Sequence, residues 1–336
     1  MDDESQRPGD FSRLEQALQE ALPLIDRDLA SAGVKIPQRP THAAMEFVET
    51  FVLAVREADG TQSEPVGFAS YADSKWFAAI YASVLKWYRA RFGAACEGEG
   101  DIRLRGVISI NETTFAVHVP RFRTRKSQTP NRVWFGIPDN IGDNEDPMSW
   151  VKLAPDLNHL SDAESQKAQS DARSVSERLR FINSAITGIS DSSEALRGFL
   201  TGILPRLAHA ADMLTTGTND TLQQAFWELQ LACENALKSV QQQRTNSFKS
   251  THDLFALYDG ISPAPKLSRE LLKKLPRWEE AAELRYGQGN HKTRSEAMSA
   301  YNAALSIVVG AMDSLERAKV GKAEFELQRP PWMTAF

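Results

Sequence analysis

The chain has 336 residues, of which 42% are hydrophobic and 25% are charged, and its formal net charge is −5. This composition excludes a largely disordered protein, and no apolar run approaches the roughly 20 residues that span a bilayer. The length favours two domains of ordinary size over one core. The acidic net charge argues against nucleic-acid binding by the whole surface, although it allows a local basic patch.

The N-terminal residues 1–10 are acidic and polar. They lack the basic end and the apolar centre of a secretion signal, which favours a cytoplasmic protein without a membrane segment. The cysteines are Cys96 and Cys233, and because they lack CxxC spacing we expect buried, inert thiols. The six histidines form no HExxH motif and no cluster with cysteine, so neither a metal site nor a cofactor is predicted.

Residues 1–155 are predicted to form an α+β domain of unknown type. Apolar residues recur every three to four positions in three segments, which indicates amphipathic helices. The third segment is the most aromatic part of the chain, and its wide apolar face favours a central position and core packing over a ligand pocket. The three segments begin near Asp10, Pro40 and Asp73 and end near Gly33, Asp59 and Phe92.

A period of two then predicts strands at 104–110, 113–119 and 132–137. Asn111 and Glu112 form the expected hairpin turn between the first two. We expect the three strands to form an antiparallel meander that packs against the aromatic helix. A polar loop follows at 138–147, and the domain boundary is placed near Pro155.

Beyond Leu160 the pattern is helical and predicts an antiparallel helical bundle at 156–325, which makes the whole protein mainly α. The last residues, 326–336, form a tail whose Pro330-Pro331-Trp332 sequence cannot continue a helix; it either docks on a partner or frays. The helical segments are expected at about 161–186, 192–214, 221–243, 251–258, 268–286 and 293–319.

Within residues 195–318, three motifs follow one another in an order that resembles a HEPN domain. Ala232 to Lys238 reads Ala-x-Glu-x-Ala-Leu-Lys, His252 to Leu254 reads His-Asp-Leu, and Leu284 to Tyr286 reads Leu-Arg-Tyr before the last long helix. The resemblance implies a small helical module that either cuts RNA or binds nucleotides and partners. It also implies a homodimer formed through the bundle and a role in a prokaryotic defence or toxin-antitoxin system.

Ribonucleases of this family use an Arg followed four to six positions later by a His, and Arg285 and His291 meet that spacing. In such a role His291 acts as acid or base on the ribose 2′-hydroxyl and the leaving oxygen, while Arg285 holds the phosphate. Tyr286 stands where a polar residue is usual, and Gly287 and Gly289 interrupt the helix. A structural or linker role for the pair therefore stays open beside catalysis.

One dense basic segment follows the second predicted strand. Alternating Arg and aromatic residues can hold phosphates while a ring stacks on a base, so nucleotide or RNA binding is predicted here, with a solvated hairpin loop as the alternative. The segment comprises Arg121, Phe122, Arg123, Arg125 and Lys126, with Arg132 nearby.

His252 either contacts a nucleotide or has an ordinary place at a helix start beside a capping Asp253. Glu234 and Lys238 are four residues apart on a predicted helix, and we expect a solvated ion pair rather than a site. Three functions stay open: a binding and oligomerisation protein, a metal-independent ribonuclease, and a structural scaffold subunit of a larger complex that a protein partner completes.

Overall fold

A computed structural model describes residues 9–56, 60, 62–97, 103–130, 132–189, 193–288 and 291–328, with side chains from residue 14 onward. The described part is mainly helical, with ten α-helices and small antiparallel sheets of two or three strands. The predicted mainly-α class is confirmed at this level, and the HEPN-like form of the bundle stays a prediction.

The chain divides into two compact units, and the first consists mostly of residues 1–100, together with 126–133 and 327–336. Its core is built around the aromatic helix, as predicted. That helix buries Phe77, Val84 and Tyr88, and Ser74 caps its start by accepting a hydrogen bond from the Phe77 N–H. The elements are α1 (Gly9–Ser31), α2 (Arg39–Phe51), β1 (Val55–Arg56), β2 (Gln62–Ser63), α3 (Phe68–Tyr71) and α4, the aromatic helix (Lys75–Phe92).

The second unit comprises residues 101–125 and 134–326. All of its described α-helices except the one that begins at Trp278 have a polar side chain that caps the first free N–H groups, with capping boxes at Ser161 and Thr293. The remaining elements are β3 (Arg103–Ile110), β4 (Thr113–Pro120), β5 (Arg123–Lys126), β6 (Arg132–Gly136), α5 (Asp162–Thr187), α6 (Glu194–Thr216), α7 (Asn219–Thr245), α8 (Leu254–Asp259), α9 (Trp278–Arg285), α10 (Arg294–Asp313) and β7 (Glu324–Gln328).

Strands β3 and β4 pair as the predicted hairpin. Asn111 and Glu112 have positive φ values of 48° and 61°, which a two-residue hairpin turn requires at both central positions. The prediction that 132–137 forms the third strand of this meander is wrong. That strand is β6, which lies between β5 and β7 and does not pair with β4. The basic segment is itself a strand, β5, and supplies the pairing edge for β6.

The hairpin belongs to the core of the second unit, whereas the prediction packed it against the aromatic helix. Val107 and Val117 are fully buried there, and Gly106 lets the strand approach α5 closely. A Cβ at Gly106 would lie 2.7 Å from the Val175 Cγ1 atom. The two units accordingly divide near residue 100 rather than at the expected boundary near Pro155.

Helix α7 is the centre of the second unit and packs most extensively on α6 and α10. Cys233 lies within it as a free, fully buried thiol, and burial raises the pKa of that thiol well above its usual value. Cys96 is also buried. Both results confirm the expectation of buried thiols.

Two predicted helices of the second unit differ from the structure, and in the first unit the helix expected to end near Asp59 ends at Phe51. The segment 268–286 is interrupted, since Pro276 has no N–H and disfavours helical backbone before it, so a short 3₁₀ turn precedes α9. The last helix ends at Asp313 instead of near 319. The end of α7 holds the chain beyond it, because Gln243 donates to the Glu316 carbonyl (2.8 Å) and Arg244 donates to the Ser314 carbonyl (3.2 Å).

Candidate functional site

One face of α7 carries a buried polar stripe. Gln230, Glu234, Lys238 and Gln241 recur every three to four residues, so they share that face, and all four are buried. Burying polar groups costs free energy unless each finds a partner. The chain between α7 and α8 covers the stripe and supplies those partners.

The glutamines of the stripe hold this covering segment in place. Gln230 Nε2 donates to the His252 carbonyl (3.0 Å), and Gln241 Nε2 donates to the Leu257 carbonyl (2.8 Å). Asp253 then caps α8 by accepting from the Phe255 N–H at 2.9 Å, which confirms the expected capping role beside His252. The chain at His252 is therefore held at its carbonyl by Gln230 and directly after it by the Asp253 cap.

The Glu234 carboxylate joins Lys238 and His252. Lys238 Nζ donates to Glu234 Oε1 (2.7 Å), and His252 Nδ1 lies 3.0 Å from Glu234 Oε2. The expectation of a solvated pair is wrong, since the side chains of Glu234 and Lys238 are only 6% and 9% exposed. The carboxylate orients the imidazole through Nδ1, and the His252 side chain is half exposed.

An aromatic column extends from His252. Its ring stacks on Trp278 with a centroid distance of 3.8 Å and an interplanar angle of 11°. Trp278 in turn contacts Trp227 of α7 at 4.6 Å, and the Arg285 Cζ atom lies 4.7 Å from the Trp227 ring centroid. The column is thus His252, Trp278, Trp227 and Arg285, and it brings together two residues that the sequence analysis treated as separate candidates.

Sequence reasoning missed both tryptophans of the column. A signal existed for Trp227, which precedes Glu234 by seven residues and therefore lies on the same helical face two turns away. For Trp278 no comparable signal existed, because its position depends on the break at Pro276 that starts α9 two residues later.

A cavity of about 600 Å³ lies beside the column, within the usual range for small-molecule sites. His252 and Trp278 form an aromatic part of its wall, Leu272 and Leu275 an apolar part, and Arg277 contributes a positive charge. A flat aromatic wall next to a cation suits a planar ligand that carries negative charge.

The basic segment is largely engaged by the protein itself. Phe122 packs on Phe135 with a centroid distance of 4.7 Å. Each of the three arginines contacts an oxygen of another side chain: Arg121 with Asn183 (2.8 Å), Arg123 with Glu145 (2.7 Å) and Arg125 with Glu324. A phosphate would have to replace these partners. Lys126 and Arg132 are exposed and belong to the segment grouped with the first unit.

Arg123 belongs to a partly buried ion cluster centred on Glu145. The Arg180 side chain is fully buried and makes two parallel 2.7 Å hydrogen bonds to the Glu145 carboxylate. Burial opposes ionisation of Glu145, but hydrogen bonds from Arg180, the Gly142 N–H and Arg123 outweigh it and lower the pKa to about 2. Because the charges of this cluster pair with one another, we assign it a structural role and not a ligand-binding one.

The predicted catalytic pair is divided between two local structures. Arg285 is the last residue of α9, and Gly287 follows with a φ of +69°. His291 is exposed and lies before the Thr293 capping box of α10, while Gly289 falls outside the described residues. Arg285 joins the aromatic column, and His291 lies on a separate exposed segment.

Among the described residues, no group of three or more His, Cys, Asp or Glu could hold a metal ion. The helices of that part of the chain include none that is long and apolar enough to cross a membrane. Comparison with protein-family models, curated proteins and solved structures found no match for this chain.

Proposed function

We propose that the second unit is a HEPN-like nucleotide-binding module and that the nucleotide occupies the cavity beside His252 and Trp278. The stacking of His252 on Trp278 at the cavity wall is the main support. Glu234 and the backbone bonds of the covering segment already orient the imidazole, so binding needs little reordering. Stacking of a base on such a surface contributes about 1–3 kcal/mol.

The charges around the cavity favour a ligand of low negative charge. Arg277 can bind a phosphate oxygen, but Asp253 and Glu279 also line the cavity and repel further phosphates. The buried Glu234 and Lys238 compensate each other. A nucleoside monophosphate therefore fits this site better than a triphosphate.

The residues that carry the HEPN resemblance converge on the aromatic column and on the Glu234 carboxylate beside it. The first motif supplies Glu234 and Lys238, the second supplies His252, and the third supplies Arg285. Segments so far apart in the chain meet because α7 and α9 pack against each other and the covering segment lies over α7. The convergence supports a shared role for the three motifs in ligand binding.

The test is a titration of the protein with nucleoside 5′-monophosphates, in which calorimetry and tryptophan fluorescence measure the binding. We expect Trp278→Ala and His252→Ala to weaken binding at least about tenfold, equivalent to 1.4 kcal/mol. Trp134→Ala is the matched control, since Trp134 is a partly exposed tryptophan of β6 that does not line the cavity. Equal affinities for wild type and Trp278→Ala would refute the site.

The other functions expected from the sequence stay predictions. A homodimer through the bundle is tested by light scattering, and a role in defence by the effect of the protein on phage infection of a host. The ribonuclease alternative requires EDTA-resistant RNA cleavage that His291→Ala abolishes. RNA binding by the basic segment requires an affinity that falls steeply with salt.

A further inference from the structure

We propose that Gln230 reads the base held by His252 and Trp278, and that adenine is the base it accepts. This inference rests on the nucleotide site proposed above and assigns its specificity. Gln230 lines the same cavity and is 1% exposed. Its Nε2 donates to the His252 carbonyl, and because a carbonyl oxygen only accepts, this bond fixes which end of the amide is the oxygen.

The Oε1 atom of Gln230 is a buried acceptor without a hydrogen-bond partner among the described residues. Such an atom destabilises a structure unless something supplies a donor. Gln230 lines the cavity, and contact between its buried Oε1 and a ligand requires the wall to open slightly there.

Two other buried glutamines of α7 have partners for both ends of the amide, so the unpaired Oε1 of Gln230 is not a general property of the helix. Gln223 donates to the Lys292 carbonyl and accepts from the Lys292 N–H, both at 2.9 Å. Gln241 donates to the Leu257 carbonyl and accepts from the Lys249 N–H. Both glutamines form hydrogen bonds to the main chain through the donor and the acceptor of the amide, whereas Gln230 uses only the donor.

The chemistry of the unused groups selects the base. Gln230 offers the Oε1 acceptor and the second N–H of Nε2, and this pair complements the N6 amine and N7 acceptor of adenine. We place the N6 and N7 edge of the base against Gln230, because on that edge guanine presents two acceptors and leaves Oε1 unpaired, whereas its N1–H and O6 edge would complement the amide. Cytosine offers an amine beside a ring acceptor on a single ring, so it presents less aromatic surface for stacking than a purine does.

The experiment measures the binding of four ligands to the full chain by calorimetry. AMP is compared with IMP, with CMP and with purine riboside 5′-monophosphate, and the last of these differs from AMP only in lacking the amine. We expect AMP to bind at least about tenfold more tightly than each of the three, since buried polar groups left unpaired reject a ligand strongly. Gln230→Met should abolish the difference in affinity between AMP and the purine riboside analogue, although losing the bond to the His252 carbonyl lowers the affinity for both. Gln223→Met, an equally buried glutamine of α7 away from this cavity, should keep the preference.

The outcomes separate the two proposals. If AMP and the purine riboside analogue bind equally to the wild type and Trp278→Ala abolishes both, the nucleotide site stands and the role of Gln230 is refuted. Tighter binding of CMP or IMP than of AMP also refutes it. Absence of binding by all four ligands overturns both proposals. The comparison of AMP with the purine riboside analogue on the wild-type protein tests the role of Gln230 even if Gln230→Met fails to fold.

Discussion

The ion pair between Glu145 and Arg180 gives a quantitative prediction for the substitution Glu145→Gln. Arg180 is fully buried in its native position, where its guanidinium lies 4.7 Å from the Trp150 ring centroid. Removing the Glu145 charge leaves this cation without its compensating anion. The substitution keeps the shape of the side chain, so the loss is mainly electrostatic.

The magnitude follows from the pKa of Glu145, which falls from 4.5 to about 2. At about 1.4 kcal/mol per pKa unit this difference corresponds to roughly 3 kcal/mol of stabilisation of the charged form. Breaking a buried ion pair by removing one partner costs about 3–5 kcal/mol. We therefore expect Glu145→Gln to lower the free energy of unfolding at pH 7 by about 3 kcal/mol.

The pH dependence has a defined direction. The lowered native pKa means that the stabilisation by Glu145 is fully present above the unfolded value of 4.5 and is lost as the pH falls through about 2. The stability difference between wild type and Glu145→Gln should therefore shrink between pH 5 and pH 2. Urea unfolding followed by circular dichroism at pH 7, 5, 4 and 3 measures it.

Glu177→Gln is the matched control, because Glu177 pairs with Arg173 on the surface of α5 with both side chains more than 40% exposed. Exposed pairs of this kind contribute less than about 1 kcal/mol. A change of less than about 1 kcal/mol for Glu145→Gln at pH 7, or a difference that persists unchanged to pH 3, would refute the reasoning.

Three further substitutions test the packing, the helix propensity and the turn, each by urea unfolding. A Cβ at Gly310 in α10 would lie 2.6 Å from the Lys266 carbonyl oxygen, so Gly310→Ala should lower the free energy of unfolding by about 1–3 kcal/mol. A Cβ at Gly198 in α6 would have nothing within 4 Å, so Gly198→Ala should raise the free energy of unfolding by up to about 1 kcal/mol. Glu112→Gly should stabilise the hairpin by about 0.5–1 kcal/mol, since Asn-Gly is the preferred pair for two positive φ angles; a loss of stability would show that the Glu112 side chain matters more than its backbone.

Local features of this protein were determined by the sequence alone. The hairpin turn at Asn111 and Glu112, the capping of α8 by Asp253 and the aromatic core helix all depend on residues within a few positions of one another. Hydrophobic period and capping chemistry act over such distances, so they can be read without knowing the fold.

Only the tertiary structure decided the pairing of β6 and the environment of Glu234 and Lys238. An ion pair spaced i, i+4 looks the same in sequence whether water or protein covers it, and here the segment before α8 folds over it. The column from His252 to Arg285 likewise requires α9 to start at Trp278 and to pack on α7. Contacts between residues far apart in the chain depend on how helices pack, and no local pattern encodes that.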